Sequence, residues 1–91
     1  MNLQELINIL KSNSVTWKTV NTQPCIHTFI NCYSINLCLW NNENTISVHV
    51  DDIKKGLRNI VEQDIKVGDS NFDFLKNLYK KAKHSSVNLA V

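Results

Sequence analysis

Leu3, Leu6, Ile7 and Leu10 recur at spacings of three and four, which places them on one apolar face of an α-helix. Asn2 stands before this stretch and Glu5 three residues later, supplying an N-cap and the return half of a capping box. The spacing predicts a helix over 3–11, ended by the turn formers Ser12, Asn13 and Ser14. The period then changes to two. Segments 15–20 (VTWKTV), 25–30 (CIHTFI), 33–40 (YSINLCLW) and 45–50 (TISVHV) are rich in β-branched and aromatic residues, as strands are. Turn chemistry separates them at 21–24, at Asn31-Cys32 and at 41–44 (NNEN), although Cys32 is an unusual companion for Asn31 in a two-residue hairpin. Alternation along the third strand turns Tyr33, Ile35, Leu37 and Leu39 inward.

Segment 51–65 supports two readings. Ile53, Leu57, Ile60 and Val61 fit a helix capped by Asp51 or Asp52, but Gly56 inside it costs ~1 kcal/mol. Alternatively 51–56 is a turn and 57–61 a fifth strand. After the loop KVGDS, Phe72, Leu75, Leu78, Tyr79 and Ala82 form the stripe of a helix over 71–84, capped by Ser70 or Asn71. Segment 85–91 is expected to be a loosely docked tail. The whole chain, 1–91, is expected to be one α+β domain: an N-terminal helix, an antiparallel meander of four or five strands, and a C-terminal helix packed on one sheet face.

Composition narrows the class. An apolar content of 43% suits a folded globule rather than a disordered tail, and no apolar run reaches the ~20 residues of a membrane span. The start of the chain lacks the basic flank and small-residue site of a signal peptide. These features predict a soluble protein of the cytoplasm, in a bacterium or a phage-infected host. The net charge of +2 is too small to make the molecule an electrostatic partner of nucleic acid as a whole. Residues 1–50 balance Glu5 and Glu43 against Lys11 and Lys18, whereas 71–91 set Lys76, Lys80, Lys81 and Lys83 against Asp73 alone. Arg58 is the only arginine, which argues against base-specific DNA reading.

No constellation for catalysis emerges, no cofactor is implied, and a non-enzyme is expected. Cys25, Cys32 and Cys38 are odd in number, so they form no complete disulfide framework, and small core thiols are the simplest reading. A zinc site from Cys25 and His27 with Cys32, Cys38 or His49 lacks knuckle spacing. The same residues as a Cys–His nucleophile pair have no helix N-terminus behind a thiol. Asp51-Asp52 reads as a cap or turn in preference to a cation site. Neither a G-x-x-x-x-G-K-[ST] nor a G-x-G-x-x-G loop occurs.

Two binding classes remain. Lys76, Lys80 and Lys83 share one helix face and would neutralise a few phosphates, with Trp17, Phe29, Tyr33 and Trp40 as candidate stacking rings for non-specific nucleic-acid binding. Against this stands a protein partner. The four strands carry only Lys18 as a formal charge, and natural sheet edges normally protect themselves with charge. A face showing Ile26, Thr28, Ile30, Asn36, Cys38 and Trp40 is expected to meet a partner protein or a second copy. The preferred function is therefore a small non-catalytic module that occludes or tethers another protein.

The stretches Leu3-Gln-Glu-Leu-Ile7, Trp17-Lys18, Phe29-Ile-Asn-Cys-Tyr33 and Leu78-Tyr-Lys-Lys-Ala82 resemble a loose set of small bacterial helix–meander–helix proteins. Cys32 departs from that pattern, where a turn glycine would stand. The set has no established activity, so the resemblance implies a layout and no site residues. The layout is also similar to that of small phage-encoded inhibitors of host defence, many of them strongly acidic, which this chain is not. Likeness of layout alone does not license function.

Overall fold

Asn2 caps the first helix as its position implies: its side-chain oxygen accepts from the Glu5 amide at 2.8 Å, and α1 runs Leu3–Ser12. In the computed structural model, which describes residues 1–19 and 23–89, five strands follow: β1 (Lys18–Thr19), β2 (Cys25–Ile30), β3 (Tyr33–Trp40), β4 (Thr45–Asp52) and β5 (Leu57–Lys66). They form one antiparallel sheet in chain order. Helix α2 (Phe72–Leu89) closes the described chain. The architecture is α+β, with a five-stranded meander.

Segment 51–65 resolves as turn and strand. Residues 53–56 turn the chain, Gly56 adopts a φ of 67°, and its amide donates to the Ile53 carbonyl at 3.2 Å. That conformation suits glycine, so the residue that weakened the helical reading is the one the turn needs. Asp52 and Asp51 serve the same corner. The Asp52 carboxylate accepts from the Lys55 amide, and Asp51 accepts from the amide of Asn59, itself at φ 54°, where the β4–β5 register shifts. The expected first strand shrinks to Lys18–Thr19; its position 20 and the turn positions 21–22 lie outside the described residues. The tail expected at 85–91 is instead helical through 89, and positions 90–91 lie outside the described residues.

Register decides what is inside. Paired residues of an antiparallel sheet share a face. Ile30 pairs with Tyr33, Thr28 with Ile35 and Ile26 with Leu37. Continuing across the sheet, Ile35, Leu37 and Leu39 pair with Val50, Val48 and Ile46. Leu6, Ile7 and Leu10 of α1 and Phe72, Leu75, Tyr79 and Ala82 of α2 join these residues in one buried cluster. Both helices thus cover the same side. Replacing Leu37, fully buried at the centre of this layer, by Ala should cost ~2–5 kcal/mol, measured as a lowered urea midpoint. Trp40→Ala on the same strand should shift that midpoint far less.

Candidate functional site

With both helices on one side, the other side of the sheet stays open. It presents Cys25, His27 and Phe29 from β2, Ser34, Asn36, Cys38 and Trp40 from β3, and Thr45, Ser47, His49 and Asp51 from β4. Short polar side chains there bond laterally. The Trp40 indole N–H donates to Ser47 Oγ at 2.8 Å, and Ser47 Oγ donates to the Asp64 carboxylate at 2.6 Å. His27 Nε2 lies 2.9 Å from Ser34 Oγ, while its ring meets the Phe29 ring edge-on at 4.5 Å between centroids. Strands β2, β3 and β4 contain no lysine or arginine. Phe29 is nevertheless 57% and Trp40 49% exposed.

The structure divides the six residues expected to share a partner face. Asn36, Cys38 and Trp40 belong to the open face. Ile26, Thr28 and Ile30 do not: Ile26 is 0% and Thr28 5% exposed, Thr28 Oγ1 donates to the Thr16 carbonyl, and Ile30 packs against the core. The error is one of parity. A two-residue turn at Asn31-Cys32 places Ile30 opposite Tyr33, so β2 must show its even-numbered residues to the side where β3 shows its odd-numbered ones. In their place this register puts Cys25, His27 and Phe29 on the open face, with Phe29 the exposed large apolar side chain among them. Of the four candidate stacking rings, Trp17 and Tyr33 pack against the core and only Phe29 and Trp40 face outward.

The cysteines also depart from expectation. Cys25 and Cys38 are joined by a disulfide across β2 and β3, and Cys32 alone is free. The Leu39 amide donates to the Pro24 carbonyl at 2.9 Å, which makes the adjacent Cys25–Cys38 pair a non-hydrogen-bonded one with side chains at closest approach. The bond removes two thiols from the proposed zinc and nucleophile sets. Among the described residues no three His, Cys, Asp or Glu side chains gather to hold a metal ion.

The lysine stripe is folded onto the protein's own acceptors. Lys80 pairs with Glu43 through a short ion pair, Lys76 approaches the same carboxylate at 3.9 Å, and Lys83 donates to the Gln23 carbonyl at 3.0 Å. Glu43 sits in the β3–β4 turn, where Asn41, Asn42 and Glu43 all take positive φ values of 56–66°. Asparagine tolerates that region and glutamate does not favour it. The ion pairs therefore hold a strained turn against α2. Edge protection is likewise present: β1 pairs over only two residues, and β5 carries Arg58, Glu62, Asp64, Lys66 and the register shift.

No family model, no curated protein and no solved structure matches this chain. No described helix is long and apolar enough to cross a membrane.

Two measurements follow from this geometry. The hydrogen bond from Lys80, then its charge and that of Lys76, hold the Glu43 carboxyl below its ordinary value of 4.5. A carboxyl lowered in the folded state adds stability above its unfolded value and loses it as pH falls through the folded one. Wild type should thus lose its advantage over Glu43→Gln only below pH 4.5, read as converging urea midpoints. The disulfide spans a sequence separation of 13, for which the loop-entropy model gives ~3 kcal/mol. The unreduced protein should be lighter by one pair of hydrogens in mass spectrometry, and reduction should lower its melting temperature.

Proposed function

We propose that this chain is a non-catalytic protein-binding module that occludes or tethers a partner protein through the open face of its sheet. The observation that carries this reading is Phe29 and Trp40, about half exposed on a five-stranded face that neither helix covers. Aromatic rings amid short, mutually bonded polar groups, with cations kept off the central strands, have the composition of an interface centre rather than of a solvated surface. The two rings supply rigid area at low entropic cost. The satisfied chain from Trp40 through Ser47 to Asp64 means that a partner covers the face without orphaning the indole N–H. Edge-to-edge pairing has less support, because both edges are short or charged.

An inhibitor, an immunity protein or a small subunit of a phage or defence system suits such a module. Non-specific nucleic-acid binding through Lys76, Lys80 and Lys83 has less behind it, since these cations are already engaged by Glu43 and the Gln23 carbonyl.

The test is affinity capture from a nuclease-treated lysate of the source organism, with wild type and a Phe29→Ala/Trp40→Ala variant as baits. A stoichiometric protein held by wild type and lost by the variant, with the variant's melting temperature close to wild type, is the expected result. Equal capture by both baits would sink the proposal, and retention that disappears with nuclease would replace it with nucleic-acid binding.

A further inference from the structure

The strand register draws one residue from every strand into a single line across the open face. Lys18 pairs with His27, His27 with Asn36, Asn36 with His49, and His49 with Glu62. From β1 to β5 the line reads cation, imidazole, amide, imidazole, anion. Its two halves are related by reversal, with opposite charge at the ends. A surface of that kind is complementary to its own copy turned end for end.

Two face-to-face arrangements with a two-fold axis between the sheets are available, and charge chooses between them. An axis running across the strands along this line lays each strand over its own equivalent, so Lys18 meets Lys18 and Glu62 meets Glu62. An axis running along the strands lays β1 over β5 and β3 over β3. Lys18 then meets Glu62 at both rims, His27 meets His49, and Asn36 and Trp40, both on the central strand, meet their own copies on the axis. Asp51 faces β2 of the other copy, which contains no acidic residue. Only this second arrangement brings opposite charges together at the rims while keeping like charges apart. Aligned sheets pack ~10 Å apart and rotated by roughly 30°, offsets that the long Lys18 and Glu62 side chains span.

We propose that the occupant of the open face is a second copy of this chain, stacked about a two-fold axis along β3, with Asn36 and Trp40 at the axis and reciprocal Lys18–Glu62 pairs at the rims. The inference rests on the reading of this face as a protein-binding surface and names its partner. Strands spaced ~4.8 Å and rising ~3.3 Å per residue give a face on the order of 20 × 25 Å, at the small end of specific interfaces. Interfaces of that size are typical of weak, reversible association.

The experiment is sedimentation equilibrium of the full chain, unreduced and at low salt, from about 1 μM to about 1 mM. Wild type should pass from monomer to dimer within that range. Lys18→Glu and Glu62→Lys should each weaken the dimer about tenfold, because each reverses two symmetry-related contacts. The double swap Lys18→Glu/Glu62→Lys restores both pairs and should return the dissociation constant to within about threefold of wild type. Asn36→Arg should leave only monomer, and the swap series stands independently of whether that variant folds. A monomer at every concentration, or a dimer that the double swap fails to restore, overturns the proposal. If that monomer still captures a protein that Phe29→Ala/Trp40→Ala loses, the dimer falls and the binding module stands; if it captures nothing, both fall.

Discussion

The turn between β2 and β3 is the constraint from which the rest of the molecule follows. Asn31 takes a φ of 55°, a left-handed conformation that asparagine reaches more readily than most residues, and the chain reverses over two residues. That reversal puts Ile30 opposite Tyr33. Because side chains alternate with a period of two, this one pairing decides the face of every residue on both strands. Ile26 and Thr28 join Leu37 and Ile35 beneath the helices, and Cys25 meets Cys38 on the other side. A slip of one residue would bury His27 and Phe29 and expose Ile26. The disulfide locks the same register at the far end of the hairpin from the turn that set it.

The second hairpin is held differently. Its turn contains three successive residues at positive φ, and the third, Glu43, is not a residue that relaxes there. Glu43 is also the residue that Lys76 and Lys80 reach from α2. A local cost and a tertiary contact thus fall on one side chain, as when surrounding structure over-determines a strained position. Helix α2 is anchored to the sheet by its apolar stripe and at its rim by this carboxylate. The lysines that looked like an outward-facing stripe owe their placement in part to that anchorage.

Much of the fold was legible because it depends on local pattern. The α1 cap, the three-four spacing of both helices and the Asn-rich turns act within a few residues of themselves, so the sequence exposes them directly. Segment 51–65 was ambiguous since Ile53, Leu57, Ile60 and Val61 satisfy a helical period while tertiary pairing with β4 decides for strand. The partner face was half legible. Asn36, Cys38 and Trp40 lie where alternation along one strand puts them, whereas Ile26, Thr28 and Ile30 required alternation to be carried through the turn into the next strand. The signal existed: with a two-residue turn at 31–32, residue 30 opposes 33 and every further pair follows. It would have exchanged those residues for Phe29 and also brought Cys25 to Cys38.

An open sheet face in a chain of 91 residues carries a cost that bears on why it persists. A small domain has little apolar surface to spare, and two aromatic rings left about half exposed forgo burial that a third layer would supply. Solvation alone does not account for the choice, because β2, β3 and β4 carry no lysine or arginine and their one open-face carboxylate, Asp51, lies towards the end of β4. The line from Lys18 to Glu62 shows how such a face stays specific while remaining nearly neutral. Opposite charges at its two ends cancel in net charge but not in direction, so a copy laid the same way round is repelled at both rims and one turned end for end is drawn in at both. Orientation is then chosen by rim electrostatics, while Asn36 and Trp40 supply the contact near the centre.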